Sequence, residues 1–297
     1  MSASVSERVR DAVAEGRPVV ALETAVLTHG LPKPLGLETV LLQVRHIQEK
    51  GAVAAIVGLL DGEAKVGLTN EELLRLSELQ QPQKVNLQNL SVACHAGASG
   101  GTTVSATMQL AHLAGIRVMA TGGIGGVHRG GQDVSTDLVA LSAVPMVVVC
   151  SGPKAVLDVS ATLERLEAYG VPVVGYGTDH VPAFYSADSG WPATGRVDTP
   201  EAAASLFRSH LEHGVRSAVL LCNPPPADAS LPWDVVQRAV DEAERACVRD
   251  GVSGRAVTPR LLEAVTLALD GANLRTNTAL LVANARLAAE VACAMAP

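Results

Sequence analysis

The residues best suited to chemistry stand where apolar runs end. The densest group is Thr121-Gly-Gly-Ile-Gly-Gly-Val-His-Arg-Gly-Gly-Gln-Asp-Val-Ser-Thr-Asp137. Its glycines let the backbone approach a ligand and turn N–H groups inward, while Ser135 and Thr136 add hydroxyls at a helix start, a combination suited to a phosphate. His128 and Arg129 place cations beside it. Asp133 is a hard oxygen ligand of the kind Mg²⁺ or Mn²⁺ takes singly while keeping several waters. The loop lacks the Lys-Ser/Thr ending of a P-loop and the G-x-G-x-x-G dinucleotide spacing, so neither ATP nor NAD is expected. No two-His or Cys/His spacing favours zinc. The plain alternative is a tight crossover in which Asp133 or Ser135 caps a helix.

Lys154 follows the strand pattern Met146 to Cys150 and the turn Ser151-Gly152-Pro153, and is read as opening a helix containing Ala155, Val156 and Leu157. Open α/β sheets hold ligands at strand carboxyl ends, where a lysine of lowered pKa can form a Schiff base. A solvated lysine at a helix start is the competing reading. Glu23 emerges directly from the apolar run Val19 to Leu22. Desolvation there would raise its pKa into the general acid–base range, and a structural Glu bonded to backbone is the alternative. His29 is either a ring donor to a loop carbonyl or a substrate contact. Gly97-Ala-Ser-Gly-Gly101 satisfies G-x-S-x-G, but Thr102-Thr103 extends the run into what looks more like a second helix-start anion nest than a nucleophile elbow. Cys150 reads as a buried strand residue rather than a nucleophile.

The elements that must position these groups alternate. Pro18 to Leu22, Val53 to Leu60, Arg117 to Ala120, Pro145 to Cys150, Val171 to Tyr176 and Ser217 to Cys222 are short β-branched runs, read as strands buried on both faces. Leu37 to Lys50, Val104 to Ala114, Ala155 to Tyr169, Pro200 to His213 and Pro232 to Arg249 show helical spacing. The alternation indicates an α/β layered sandwich around a largely parallel or mixed sheet, and residues 1–297 are expected to form one domain. Ser186 to Thr199 and Pro224 to Pro226 read as loops, and Leu274 to Met295 as a long helix whose polar start can face a site.

Composition narrows the partners. Apolar residues make up 48% of the chain and aromatics only 2%, so the core must be aliphatic. A net charge of −7 without a dense basic block argues against nucleic acid or an anionic membrane as partner. Five dispersed cysteines suit buried free thiols in a reducing compartment, the polar N-terminus lacks a signal-peptide pattern, and no apolar run reaches the ~20 residues of a membrane span. A cytoplasmic protein is expected.

Taken in order, Ala21-Leu-Glu-Thr, Thr28-His-Gly, Gly100-Gly-Thr-Thr-Val, the loop Thr121 to Gly130, Asp133-Val-Ser-Thr-Asp and Ser151-Gly-Pro-Lys resemble the pseudouridine-5′-phosphate glycosidase (indigoidine synthase A-like) family. Pro182-Ala-Phe-Tyr, Arg196-Val-Asp-Thr-Pro, Asn223-Pro and Thr276-Asn-Thr extend the match. The resemblance implies a three-layer α/β/α sandwich, a homotrimer, and cleavage or formation of the C–C glycosidic bond of pseudouridine 5′-phosphate. It places Glu23 on the proton donor, Lys154 on the Schiff-base nucleophile and Asp133 on the ligand of one Mn²⁺ per subunit, with Mg²⁺ as an alternative. Lys84, Val104, Ser135, Thr136 and Asp137 fall on substrate-binding positions, and Asn277 on one that addresses the nucleobase. Thr103 and His128 lie within shared motifs and join the substrate-binding set.

One segment departs from the family. After the lysine matched by Lys84, members commonly carry Ser-Arg-Arg-Asp-Leu, whereas this chain reads Asn86-Leu87-Gln88-Asn89-Leu90. The sugar side of the substrate is therefore better specified than the aglycone. A C-glycosynthase joining ribose 5-phosphate to another aromatic acceptor is the second reading. A sugar-phosphate-binding protein without catalysis is the third.

Overall fold

The computed structural model describes residues 3–131, 133–251 and 257–296. Its central sheet runs in the order Ser4–Val5, Glu63–Val66, Val53–Leu60, Val19–Leu22, Val118–Ala120, Val147–Cys150, Val219–Cys222, Val173–Tyr176, Gly195–Val197. From Val53–Leu60 to Gly195–Val197 every neighbouring pair is parallel. Val53–Leu60 also pairs antiparallel with Glu63–Val66 and with Gly100–Thr102, which in turn carries Gln83–Val85. The sheet is thus mixed at one side and parallel through its centre.

The central strands are apolar at successive positions because both faces are covered. Val20, Leu22, Val147, Val149, Val219 and Leu221 face one core, shared with helices Leu35–Glu49, Pro200–Glu212 and Ala272–Met295. Val19, Ala21, Met119, Val148 and Leu220 face the other, shared with Glu7–Ala14, Val104–Leu113 and Thr136–Ala143. The two-residue period of the strand divides each run between the cores. The result is an α/β/α arrangement of three layers.

Two local expectations are corrected. The helix expected from Ala155 begins at Val159, capped by Asp158, whose carboxylate accepts from Ala161 N at 2.9 Å. The residues before it form the strand Leu157–Asp158, which pairs antiparallel with Val127–His128. Lys154 therefore sits in an extended segment, where the Asp158 cap and the pairing outweigh the apolar spacing. Within the stretch expected as loop, Gly195–Val197 is an edge strand parallel to Val174–Tyr176; its polarity suits an edge.

The helix Ala272–Met295 is long and apolar enough, by length and composition alone, to cross a membrane. Here it packs against Val19–Leu22, Val118–Ala120 and Val147–Cys150 and against helices Leu35–Glu49, Pro200–Glu212 and Val257–Ala268. Asn284, fully buried in it, donates to Thr121 O at 2.9 Å and accepts from Asn223 Nδ2 at 3.0 Å, and Ser151 Oγ lies 3.1 Å from its Nδ2. One amide thereby gathers the residues that follow three central strands. Cys150, Cys222 and Cys247 are buried free thiols, whereas Cys94 is half-buried and Cys293 exposed, also as free thiols.

Candidate active site

The carboxyl ends of the central strands open on a cavity of about 330 Å³. Eleven candidate residues from the sequence line it: Glu23, Lys84, Thr103, Val104, His128, Asp133, Ser135, Thr136, Asp137, Lys154 and Asn277. Parallel strand order makes this possible, because residues 22, 120 and 150 end at one edge of the sheet.

Glu23 leaves its strand and enters a wide helical turn, Val26–Gly30, closed by Leu31 N donating to Val26 O at 2.9 Å. Such turns recur at functional sites. Glu23 is 9% exposed, and its carboxylate accepts from Val26 N at 2.9 Å and from Thr121 Oγ1 at 3.5 Å. Burial pushes its pKa above the usual carboxylate value; the Lys154 ammonium and the Val26 N–H pull it back, and the Asp137 charge adds to the rise. Burial prevails.

Lys154 is fixed by its backbone: its N–H donates to Ile124 O at 3.1 Å, and its carbonyl accepts from Leu157 N at 3.0 Å. The preceding Gly152 adopts φ +80°, and a Cβ there would run into Pro182 O, so only glycine fits the turn that delivers the lysine. Lys84, on the short strand Gln83–Val85, is an exposed residue whose ammonium nonetheless titrates below the ordinary lysine value. Desolvation against the cavity is the main cause, followed by the like charge of Lys154. Its carbonyl accepts from Asn89 Nδ2 at 3.0 Å, and Asn86 Oδ1 accepts from Gln88 N and Asn89 N at 2.9 and 3.1 Å. The divergent segment is thus a self-bonded asparagine turn that supports Lys84, and Asn86 itself lines the cavity.

Two helix starts converge on the same space. Ser135 caps Thr136–Ala143, its Oγ accepting from Asp137 N at 3.2 Å. Thr103 precedes Val104–Leu113, and hydroxyls run from Thr103 to Ser105 to Thr136 in steps of 3.0 Å. Asp137 joins the two: Oδ1 accepts from Ser105 N at 2.9 Å and Oδ2 from Gly125 N at 2.8 Å. A Cβ on Gly125 would collide with the Ser135 side chain and lie 2.8 Å from Asp137 Oδ2. That glycine therefore serves close packing of the loop on the helix start as well as approach to a ligand.

Gly130 and Gly131, both at positive φ, close a hairpin in which His128 N donates to Asp133 O at 2.9 Å. His128 Nε2 then lies 3.7 Å from Asp133 Oδ2, with the Asp133 side chain 75% exposed. No group of three His, Cys, Asp or Glu side chains among the described residues forms a closed metal site. One open carboxylate beside an imidazole fits a hard, largely hydrated cation.

Some candidates stand elsewhere. Arg129 turns away from the cavity to Asp241, Glu244 and Gln237 on helix Trp233–Arg249, because two carboxylates there outbid a solvated position. Ser99 precedes a strand and bonds to Asp61, accepting from its N–H at 2.8 Å, so no nucleophile elbow is formed. His29 lines the cavity and pairs with Thr28 Oγ1 at 2.7 Å; desolvation and then the Lys84 charge lower its pKa.

Sequence reasoning gave no role to Phe184, Tyr185, Thr266 or Asn273, all of which line the cavity. The two rings are tilted at 53° with centroids 4.6 Å apart. Phe184 has φ +59°, a strained backbone for a bulky residue and a mark of functional sites. A usable signal existed: the chain has 2 Phe and 3 Tyr, and one of each stands adjacent at 184 and 185.

A family model described as indigoidine synthase A like protein matches residues 8–294. The chain belongs to this family. It is similar to a pseudouridine-5′-phosphate glycosidase of Thermus thermophilus, with 51% identity across 94% of this chain and 98% of that protein. A pseudouridine-5′-phosphate glycosidase of Herpetosiphon aurantiacus is 45% identical over 98% of this chain and 97% of the relative. Among solved structures, the prealnumycin C-glycosynthase AlnA in complex with ribulose 5-phosphate superposes with a TM-score of 0.93 at 35% identity, covering 100% of this chain and 97% of that one. An indigoidine synthase A-like protein from Thermotoga maritima gives 0.89 at 34% identity, covering 98% of this chain and 96% of the other.

Proposed function

We propose that this protein cleaves and forms the C–C glycosidic bond of pseudouridine 5′-phosphate, releasing uracil and ribose 5-phosphate with water. The observation that carries the reading is a buried carboxyl of raised pKa, Glu23, facing Lys154 in a cavity ringed by hydroxyl-bearing helix starts. Two curated relatives of that name cover nearly the whole chain.

A carbon-linked base is a poor leaving group, so two-carboxylate glycoside chemistry does not suffice and an electron sink at the sugar is required. Glu23 protonates the ring oxygen as the C1′–O bond breaks, and the Lys154 amine forms a bond to C1′ and passes a proton back to the Glu23 carboxylate. The reprotonated Glu23 protonates the base carbon, which lets the C1′–C bond break, its electrons staying with uracil while the nitrogen lone pair completes an iminium. Water adds to C1′ and frees ribose 5-phosphate and the lysine. Lys84, Ser135, Thr136 and the N–H groups at the two helix starts hold the phosphate by charge and hydrogen bonding. Asp133, with His128 beside it, would hold a largely hydrated Mn²⁺ or Mg²⁺, which supplies positive charge near the phosphate and base when bound.

The reading includes one catalytic domain over 1–297 working as a cytoplasmic homotrimer, which the sequence resemblance supports and light scattering tests for assembly. C-ribosylation of another aromatic acceptor is the second reading. It is favoured by the likeness to AlnA and by the uncharged Asn86–Asn89 turn at the cavity. Both share one test: incubation with ribose 5-phosphate and Mn²⁺, trapping with borohydride and intact-mass analysis. A sugar-phosphate adduct is expected in the parent protein and absent in Lys154→Ala, which also loses turnover. Near-normal turnover by Lys154→Ala refutes the assignment.

A further inference from the structure

Asn273 lies in the first turn of the helix Ala272–Met295, four residues before Asn277, and both line the cavity. Asn273 is 2% exposed. Its Nδ2 donates to Thr266 Oγ1 at 2.9 Å and to Tyr185 Oη at 3.4 Å, whereas its Oδ1 is buried without a hydrogen-bond partner among the described residues. An unpaired buried amide oxygen costs about 1–3 kcal/mol, and native proteins retain few of them. Both bonds are made by Nδ2, which leaves Oδ1 as the unpartnered end of an amide that lines the cavity.

Tyr185 supplies the complementary half. Its Oη accepts from Asn273, which leaves its own O–H without an acceptor among the described residues. Burial raises the phenol pKa, so this group stays a proton donor at neutral pH. An acceptor on Asn273 and a donor on Tyr185, whose ring is tilted against Phe184, thus line one cavity, the pair of groups that a planar ring edge carrying N–H next to C=O would satisfy. An aromatic acceptor without that edge would leave both protein groups unpaired, and sites built from buried polar groups discriminate strongly for this reason.

We infer that Asn273 Oδ1 and the Tyr185 O–H read the aglycone, and that the cavity selects cyclic amides or imides over other aromatic rings. The inference rests on the proposed function, because it takes the Phe184–Asn273 end of the cavity as the aglycone side. It also favours a uracil-type ring over an aromatic lacking a lactam edge.

The test compares pseudouridine 5′-phosphate with its 1-methyl and 3-methyl derivatives, one of which lacks the N–H that faces Asn273. The parent protein is expected to lose at least tenfold in kcat/KM on that derivative. Asn273→Leu, close in size but without polar atoms, is expected to bring the ratio within threefold by slowing the unmethylated substrate, while borohydride trapping of ribose 5-phosphate on Lys154 proceeds at the parent rate. Tyr185→Phe, which keeps the ring, is expected to slow the unmethylated substrate at least fivefold with the same trapping rate, and it carries the test alone if Asn273→Leu does not fold. Methylation ratios unchanged in Asn273→Leu together with parent-like rates in Tyr185→Phe overturn the inference. So does a parent protein that handles all three substrates alike, or one that forms the adduct yet accepts no uracil-type ring. Absence of the adduct in the parent protein instead refutes the Lys154 reading, and the inference falls with it.

Discussion

Asp137 offers the sharpest separation of scaffold from substrate contact. It is 4% exposed, and its two oxygens accept the Ser105 and Gly125 N–H groups at 2.9 and 2.8 Å, tying the glycine loop to two helix starts. Asp137→Asn keeps the size but replaces one oxygen by an NH₂ group, so either rotamer sets a donor against a backbone donor. A charge-assisted bond contributes about 1.5–3 kcal/mol, and the opposed N–H loses its partner besides, so the expected loss is about 3 kcal/mol. At ~2–4 °C per kcal/mol for larger domains this is a fall of ~6–12 °C in Tm, read by thermal unfolding at fixed protein concentration. Activity should fall as well, because Gly125 and Ser135 line the cavity. A variant that melts within ~2 °C of the parent while losing sugar-phosphate affinity refutes the brace and makes Asp137 a ligand contact alone.

Glu23→Gln should lower kcat by ~10²-fold or more, as loss of a general acid does. Because the folded pKa of Glu23 is raised, this group favours the native state fully below its unfolded value near 4.5 and loses that contribution as pH rises through the folded value. The variant should therefore melt higher than the parent at neutral and alkaline pH, with the gap closing toward pH 4.5; melting curves over that range that show no gap refute the burial argument. Chelation should abolish turnover and added Mn²⁺ restore it, while Asp133→Ala should raise the Mn²⁺ concentration for half-maximal rate by about tenfold or more; an unchanged titration removes Asp133 as the ligand. Thr69 and Glu72 form a reciprocal cap on helix Asn70–Glu78, away from the cavity. Thr69→Ala should cost ~1 kcal/mol in a denaturant titration and leave kcat/KM unchanged.

The sequence by itself determined what local chemistry controls. The central strands were legible because burial on both faces demands unbroken apolar runs, and the covering helices because one stripe of each must be apolar. Glu23, Lys154 and the glycine loop were legible because polar groups directly after such runs stand at the ligand-binding edge of a parallel sheet. Lys84 and Val104 have no local signature, and only the ordered family motifs singled them out; Asn277 stands in the polar start of the last helix, and only the motifs gave it a role. Tertiary structure decided the rest, since it depends on pairing between distant segments. Leu157–Asp158 became a strand because Val127–His128 lay beside it, which moved the helix start to Val159 and left Lys154 in an extended segment. Arg129 was drawn to Asp241 and Glu244, over a hundred residues away, rather than to the anion nest beside it in sequence. Asn273, Thr266 and Tyr185 meet only because the last helix packs across the strand ends, and an orphaned amide oxygen is a property of that meeting, invisible in any one of the three residues.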